Sequence, residues 1–508
     1  MDSLLNPDIL LPTLVGLPLI AAILTTLLKS HGLRASISIA MALTQFMIAA
    51  ALLSWLSGSG TSLETQYQRY SLAGWGAPLG IDLAIDGFAA LMLMLTAALT
   101  LVLTVYSRYY FFEPHSRLDK TARFWPLWWL LIMGINALFL SGDIFNIYVT
   151  LEIIGLAAVS LVALDGSRAA LTAALRYLLV GLLGSLCYLL AVALLYRAYG
   201  TLDLAQLSAV AEPTAITWAA LVLITTGLLL KTALVPLHFW LPLAHGSAPA
   251  PVSAILSALV VKTSFYLLAR LWLDTLAPAA TDSGLLMLGI LGAAAICWGS
   301  IQALRATRLK LMVAYSTVAQ LGYLFLLFPL ALPDEDARGA GLSGPAVSAI
   351  GYFIVAHACA KAAMFLAAGN IMRTFGHDEI ARLRGLAKYM PLSLLTFAIA
   401  GASLIGLPPS AGFLSKWLLL NVAIDAAQWW WAIIILMGGL MAAMYVFRVL
   451  NIAFTSVDEE AQTEPKNLPI NKLPTIMSLC AFLLAMLTVV LGFNAELILD
   501  LVTVGDDV

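Results

Sequence analysis

The sequence predicts an all-α polytopic membrane protein with about fourteen transmembrane helices. The first observation is composition: 62% of the 508 residues are hydrophobic and only 11% are charged, whereas soluble domains are about half apolar and about a quarter charged. The second is the recurrence of apolar runs long enough to cross a bilayer. The third is a bias of positive charge toward alternate loops. Together they predict a single integral membrane domain over residues 1–508.

The apolar runs define the predicted helices in chain order. A helix needs about 20 mainly apolar residues to cross the hydrocarbon core. The runs lie at residues 9–29, 33–56, 81–106, 124–141, 144–164, 170–197, 214–240, 251–275, 284–304, 309–332, 345–372, 391–422, 428–454 and 473–501. The polar segments between them are too short to fold as a soluble domain.

The loop charges indicate the orientation of the chain. With the N-terminus outside and alternating crossings, most of the 26 lysines and arginines fall in inner loops or at inner helix ends. The basic residues left on the outer side are Arg69, Arg197, Arg270 and Arg338. Positive charge collects on the cytoplasmic side of membrane proteins in this way. The bias therefore predicts both termini outside, in a bacterial-type cytoplasmic (inner) membrane.

A small set of ionisable residues lies well inside the apolar runs. An ionised group at that depth is costly unless it is paired, hydrated or functional, so such residues indicate ion or proton pathways. His357 and Lys361 are four residues apart and share a helix face, which places a group that titrates near neutrality beside a cation. The candidate proton relay consists of Glu152, Lys231, Lys262, His357, Lys361 and Lys416.

A static role is the alternative for these charges. One carboxylate and one lysine can form a permanent structural pair, and a lysine near a helix end can extend to the interface. Asp82, Asp86 and Asp143 lie near predicted outer helix ends, where we expect solvated or helix-capping carboxylates. We expect Arg176 and Arg270 to face water at helix ends.

Prolines interrupt predicted helices 7 and 12. Pro236 and Pro242 follow Lys231, and a continuous helix cannot pass through them. The stretch GLPPSAGF, with Pro408 and Pro409, precedes Lys416 in the same way. Irregular backbone at membrane depth occurs where it is buried in protein or lines a wet cavity. The candidate broken-helix or gating residues are Pro236, His238, His245, Pro408 and Pro409, although both histidines could be simple polar contacts.

One interrupted helix in each half indicates an internally repeated transporter. Residues 1–110 would hold helices 1–3, and 473–501 the last helix. The first repeat, helices 4–8, would occupy residues 120–275, and the second, helices 9–13, residues 284–455.

Several function classes are disfavoured. A net charge of −2 and the lack of a basic cluster with interleaved aromatics argue against a nucleic-acid partner. The four cysteines, Cys187, Cys297, Cys359 and Cys480, are isolated in apolar runs, so no iron–sulfur or zinc site is readable. Dinucleotide, Walker and nucleophile-elbow motifs are also missing. We expect no cofactor, no metal and no catalytic residue in this chain.

The chain resembles a known family in several stretches. These are GDIFNIYVTLE, ALRYLLVGLLGS, LVPLHFWLPLAHGSAPAPVSAILSALVVKTSFYLLAR, YSTVAQLGY, HACAKAAMFLAAGN and GLPPSAGFLSKW. They are similar to the antiporter-like subunits shared by respiratory complex I, membrane-bound hydrogenases and Mrp-type multisubunit sodium/proton antiporters. The resemblance covers roughly residues 80 to 455, and the GDIFNIY stretch and the chain length look closest to the D subunit of the Mrp type. The resemblance implies fourteen helices, two inverted five-helix repeats and breaks in helices 7 and 12.

The resemblance also implies roles for single residues. Glu152 looks like the helix-five glutamate, and Lys231 like the helix-seven lysine that pairs with it. Lys262 looks like the central helix-eight lysine, His357 like the polar helix-eleven position, and Lys416 like the helix-twelve residue at the exit step.

Two positions depart from the family pattern. Gln320 stands where many relatives have histidine, so a relay would need water or Lys361 there. Arg176 stands where many relatives have lysine, which removes a group that loses its proton easily.

The function expected from these features is proton translocation as one subunit of a membrane complex. The partners would be other membrane subunits, protons, Na+ and the lipid bilayer, in a Mrp-type Na+/H+ antiporter. The alternative is a proton-pumping subunit of a complex I-like NADH:quinone oxidoreductase or a membrane-bound hydrogenase, with the redox cofactors in partner subunits. A structural membrane-arm component and a stand-alone carrier are further alternatives.

Overall fold

The computed structural model describes residues 6–58, 68–76, 80–111, 120–331, 342, 344–456, 472–496, 498 and 499. Arg338, which entered the charge argument, lies outside these residues, as do the last residues of the predicted run 473–501. Within the described part the chain is almost entirely helical. Its helices are α1 (Pro7–Leu27), α2 (His31–Gly58), α3 (Gly87–Tyr110), α4 (Lys120–Phe139), α5 (Ile144–Val162), α6 (Arg168–Tyr199), α7 (Leu204–Val210), α8 (Ala215–Thr232), α9 (Leu241–Ser247), α10 (Ala250–Ile255), α11 (Val261–Arg270), α12 (Asp282–Arg305), α13 (Leu309–Leu324), α14 (Leu327–Leu330), α15 (Pro345–Phe375), α16 (Leu386–Tyr389), α17 (Pro391–Ile405), α18 (Ala411–Asp425), α19 (Trp429–Phe454) and α20 (Thr475–Phe493).

Short segments of other geometry join these helices. Two π-helical turns, Leu256–Val260 and Leu271–Thr275, flank α11. A two-stranded antiparallel hairpin, β1 (Gln68–Ser71) and β2 (Asp82–Ile85), precedes α3, with Gln68 opposite Ile85 and Ser71 opposite Asp82. The predicted run 81–106 therefore begins as a strand.

The number of membrane-crossing segments agrees with the prediction of about fourteen. In the described residues, 13 helices are long and apolar enough to cross a membrane. The shorter apolar helix α17 adds one more, together with α18. An 18-residue stretch of each of the spans Ala250–Thr275 and Pro345–Phe375 is entirely buried within the chain. These two spans therefore lie in the interior of the protein.

Predicted helices 7 and 12 are interrupted as expected. Helix 7 comprises α8 and α9, and a stretch of turns from Leu234 to Trp240 separates them. Helix 12 comprises α17 and α18, and Gly406 ends its first half with φ +90°, where glycine avoids a steric cost. The peptide bonds Val235–Pro236 and Pro408–Pro409 are cis. The division into two inverted repeats stays a prediction.

The carboxylates at the predicted outer helix ends cap helices or form ion pairs. Asp86 and Asp143 cap α3 and α5, as expected, by accepting from backbone N–H groups in the first turn. Asp82 is buried in β2 and is bound by Arg69, which also pairs with Asp203 before α7. This clamp ties the hairpin to the segment between α6 and α7.

The expectation for one arginine was wrong. Arg270, expected to face water, has only 12% of its side chain exposed. It pairs with Asp86 and lies 3.6 Å from Asp274, and its guanidinium lies over the Tyr266 ring. A partly buried guanidinium needs such partners. Of these, only Asp274, four residues further along the chain, can be inferred from sequence spacing. Arg176, in contrast, is exposed.

Candidate functional site

Glu152 and Lys231 form an ion pair between α5 and α8. Lys231 Nζ lies 3.4 Å from Glu152 Oε1. Ser185 on α6 donates its hydroxyl hydrogen to the same carboxylate oxygen. The pair predicted from the sequence is therefore close enough to interact, and a third helix contributes a donor to it.

Two glycines allow α6 and α8 to approach closely beside this pair. A Cβ atom on Gly184 would lie 2.7 Å from the carbonyl oxygen of Gly227 and 3.4 Å from Lys231 Cγ. Small residues permit this kind of backbone contact between membrane helices. Ser185 and Lys231, next to this close approach, both reach the same oxygen of Glu152.

A small cavity adjoins the ion pair. Its volume is about 30 Å³, which is enough for about one or two water molecules. Its polar lining comes from Glu152, Lys231 and the α11 residues Thr263 and Ser264, with Tyr177 on α6. The two α11 residues of this lining directly follow Lys262 in the chain.

Lys262 is fully buried at the beginning of α11. Its Nζ donates to the carbonyl oxygens of Ala258, at 2.6 Å, and Ser257, at 3.3 Å. Both acceptors belong to the preceding π-helical turn, and the altered hydrogen-bond pattern of such a turn makes backbone carbonyls available. The Ser257 hydroxyl lies 2.9 Å from that of Thr317, which links this turn to α13.

His357 and Lys361 occupy the buried centre of α15. Lys361 Nζ donates to the Val313 carbonyl at 2.9 Å and to the Ser316 hydroxyl, both on α13. Neither ring nitrogen of His357 has a hydrogen-bond partner among the described residues. The imidazole lies within electrostatic reach of Lys262, Lys361 and Lys416. The imidazole therefore lies among three lysines of the predicted relay.

Lys416 lies at the interruption of helix 12. Its Nζ donates to the carbonyl oxygens of Leu404, at 2.7 Å, and Ile405, at 3.1 Å. It also lies 4.7 Å from the centre of the Tyr323 ring, a cation–π contact that the sequence did not indicate. Carbonyls at the C-terminal end of a helix favour a cation. The break thus supplies the groups that hold this lysine.

The interruption of helix 7 is anchored by aromatic contacts. Trp240 donates its indole hydrogen to the Leu230 carbonyl at 2.8 Å and stacks on Tyr177. His238 accepts a hydrogen bond of 3.1 Å from Trp298 on α12. Pro236 is exposed, as are Pro408 and Pro409 at the second break. These prolines therefore lie at the surface of the chain rather than beside the buried lysines.

Lys310 is a buried lysine near His245 that sequence reasoning missed. Lys310, which the charge count assigned to an inner helix end, is buried and donates to the Ala248 carbonyl. His245 is also buried, stacks on Phe365, and lies within electrostatic reach of Lys310 and Lys361. Only the position of Lys310, two residues into an apolar run, could have drawn attention to it.

The interior lysines share an unusual environment. In the described part of the chain, no carboxylate lies within ion-pair distance of Lys262, Lys361 or Lys416. Backbone carbonyls, hydroxyls and one aromatic ring surround them instead. Such groups bind an ammonium ion without neutralising it, so each site can release or accept a proton without first breaking an ion pair. Among the described residues, no group of three His, Cys, Asp or Glu side chains could hold a metal ion.

The sequence is similar to those of known proteins over most of its length. Residues 141–442 match the family described as NADH:quinone oxidoreductase/Mrp antiporter, TM. The chain is 37% identical over 417 residues to the N subunit of the NADH-quinone oxidoreductase of Desulforudis audaxviator, covering 80% of each protein. It is 28% identical to the D-subunit of the Na(+)/H(+) antiporter of Alkalihalophilus pseudofirmus, covering 98% of this chain and 95% of that one.

A solved structure shows the same fold. A chain of the Mrp complex from Dietzia superposes with a TM-score of 0.85 over 98% of this chain and 96% of its own length, at 24% identity. The family match spans more than half of the sequence and includes Glu152, all of the buried lysines and both helix breaks. The chain is therefore a member of the NADH:quinone oxidoreductase/Mrp antiporter transmembrane family.

Proposed function

We propose that this chain is a proton-translocating subunit of a multisubunit membrane complex. The observation that carries the proposal is the sequence of buried titratable groups from Glu152 and Lys231 through Lys262 and His357 to Lys416. A buried charge is retained in a membrane protein chiefly where it serves transport. The cavity beside the Glu152–Lys231 pair and the hydroxyl-lined contacts of α13 support a hydrated route between these groups.

The mechanism begins with the ion pair. While Glu152 faces Lys231, the carboxylate stabilises the ammonium form of the lysine. When the pair separates, low-dielectric surroundings favour the neutral amine, and the proton passes toward Lys262. Each arriving positive charge then repels the next proton along the route, through His357 and Lys361 to Lys416. Partner subunits or a counter-moving cation supply the free energy that separates the pair.

The complex that we favour is a Mrp-type Na+/H+ antiporter, in which this chain takes the place of the D-subunit. The support is the similarity to the antiporter protein from Alkalihalophilus, which extends over nearly the whole of both chains. The substrates would be protons and Na+, and the partners other membrane subunits. The chain would carry out transport rather than bond chemistry. Both termini would face the outside of a bacterial cytoplasmic (inner) membrane.

A redox-driven pump is the second candidate. It is favoured by the higher identity, 37%, to a protein named for NADH-quinone oxidoreductase. In that case the same relay operates, and flavin and iron–sulfur subunits hold the redox cofactors. Gentle purification of the complex from native membranes, followed by mass spectrometry, separates the two candidates. Small hydrophobic subunits alone support the antiporter, whereas co-purifying redox subunits support the pump.

Replacement of Lys231 by alanine tests the proposed function itself. The assembled complex, reconstituted in vesicles, should lose proton or sodium transport, because the pair with Glu152 no longer forms. The exposed Lys388→Ala variant is the matched control and should transport normally. Unchanged transport by Lys231→Ala contradicts the proposal.

Two remaining alternatives have their own tests. A purely structural subunit predicts that Glu152→Gln weakens assembly before it affects transport, so an intact complex without transport excludes it. A stand-alone carrier predicts robust transport by the purified chain alone. We expect no such transport without the partner subunits.

A further inference from the structure

Tyr445 is a buried tyrosine on α19 that the relay described above does not use. Its side chain is completely shielded from solvent, and its hydroxyl makes no hydrogen bond of standard geometry within the described structure. The side chains of Ser316 and Gln320, one helical turn apart on α13, lie beside this hydroxyl. The hydroxyl is thus buried beside two polar side chains, and a buried polar group is normally hydrogen-bonded to such neighbours.

The two neighbours of this hydroxyl lead to different lysines. Ser316 accepts a hydrogen bond from Lys361. Gln320 donates through Nε2 to the Leu404 carbonyl at 3.4 Å, and Lys416 donates to the same carbonyl at 2.7 Å. The Tyr445 hydroxyl therefore lies next to one side chain that contacts Lys361 and one that shares an acceptor with Lys416.

The packing of α13 against α19 fixes this arrangement. Tyr323, near the end of α13, donates its hydroxyl hydrogen to the Ile435 carbonyl of α19 at 3.1 Å. Gly439 follows on α19, where a Cβ atom would lie 3.0 Å from the Ile405 carbonyl and 3.7 Å from Lys416 Nζ. Ser316 lies beside Tyr445, about two turns before Tyr323 on α13 and nearly three turns after Ile435 on α19. Helix α13 therefore contacts both lysines, and α19 packs beside it.

We propose that the Tyr445 hydroxyl carries protons between Lys361 and Lys416, an inference that rests on the proposed function. Lys361 gives a proton to the Ser316 oxygen. The Ser316 hydroxyl turns from the Val313 carbonyl and passes its own proton to the Tyr445 oxygen, where a new O–H bond forms. The original phenolic O–H bond breaks in the same step, and its proton passes to a water molecule that delivers it to Lys416. The tyrosine ends as neutral as it began. Gln320 cannot titrate, so it acts by orienting this hydroxyl.

The test uses Tyr445→Phe, which removes the hydroxyl and keeps the ring. In the intact complex reconstituted in vesicles, proton transport followed by a pH-sensitive dye should fall by roughly tenfold or more. Tyr188→Phe is the matched control, since Tyr188 is an equally buried tyrosine whose hydroxyl donates to the Ile144 carbonyl at 3.3 Å, away from these lysines. This control should transport at the rate of the wild type.

A rescue variant separates proton transfer from packing. An imidazole at position 320 can accept and donate a proton beside Ser316 and Leu404, so adding Gln320→His to Tyr445→Phe should restore most of the rate. Transport by Tyr445→Phe at the wild-type rate overturns the inference. A slow Tyr445→Phe that Gln320→His leaves slow also overturns it, because the defect would then not be the loss of a proton carrier at this place.

Two further measurements complete the design. If Tyr445→Phe does not assemble, Gln320→Leu tests the orientation of the hydroxyl instead, and a full transport rate for that variant overturns the inference. Lys231→Ala, measured in parallel, distinguishes the relay as a whole from the role of Tyr445. Transport that survives Lys231→Ala contradicts the proposed function, whereas loss there with normal Tyr445→Phe contradicts only the role of Tyr445.

Discussion

The ammonium nitrogen of Lys416 lies 2.7 Å from the carbonyl oxygen of Leu404, across the interruption of its own helix. The second half of helix 12 is thereby bound to the last turn of the first half. A Cβ atom on Gly406 would lie only 2.9 Å from Lys416 Cδ, so the glycine at the break also makes room for the lysine stem. The interruption and the buried charge depend on one another.

Lys416→Met should abolish proton transport while leaving the complex assembled. Methionine fills a similar volume, but its thioether neither carries a proton nor binds the Leu404 carbonyl. The measurement is dye-monitored transport in vesicles, with subunit content checked on the same preparation. Transport near the wild-type rate would show that the exit step does not pass through this residue.

Ser185→Ala should slow transport without breaking the complex. The Ser185 hydroxyl donates to the oxygen of Glu152 that also faces Lys231, so its loss leaves the carboxylate less firmly oriented. A charge-assisted hydrogen bond contributes about 1.5–3 kcal/mol, which predicts a rate change of roughly tenfold or more. Ser185→Thr retains a hydroxyl and should stay close to the wild type. Equal rates for the two variants contradict this role.

Gly227→Val should separate α6 from α8 and destabilise the protein. The added side chain meets the backbone of Gly184 and Tyr188, which cannot yield like a flexible side chain. Overpacking of this kind costs about 1–3 kcal/mol. Thermal unfolding in detergent should therefore occur at a lower temperature. Gly181→Ala, at a position with open space, is the control, and an equal effect in both variants would refute the explanation.

Arg69→Ala should weaken the clamp between the β1–β2 hairpin and the segment before α7. It leaves Asp82 and Asp203, each only 3% exposed, without their shared cation. Removing one partner of a buried pair costs about 3–5 kcal/mol. The exposed pair of Lys120 and Asp165 offers the comparison, since Lys120→Ala should cost about 1 kcal/mol or less. Chemical or thermal unfolding measures both, and a similar loss for the two variants contradicts the assignment.

Much of the fold and part of the site could be predicted from the sequence. Apolar run length fixes the spans because the bilayer sets the length of a crossing helix. The breaks follow from proline chemistry, and Glu152 with Lys231 stand out because isolated charges in apolar runs are costly. The β1–β2 hairpin was missed, since β2 lies at the start of the apolar run that continues into α3 and β1 lies outside every apolar run.

The remaining errors concern contacts between distant segments. Arg270 meets Asp86 from another helix, and nothing in the local sequence shows that encounter. Lys310 resembles an ordinary helix-end lysine until α9 covers it. In the sequence, Tyr323 and Tyr445 look like core aromatics. Only helix packing brings the Tyr323 ring to Lys416 and the Tyr445 hydroxyl to Ser316 and Gln320. Tertiary packing, rather than local pattern, decides these positions.

Lys262 lies between the two halves of the proposed route and has no carboxylate partner in the described structure, so a continuous proton path depends on it. The measurement is proton movement in vesicles that hold the assembled Lys262→Met complex, with Lys388→Met as the control. We expect proton movement to be lost while all subunits are present. Proton movement at the wild-type rate would contradict a continuous route from Lys231 to Lys416.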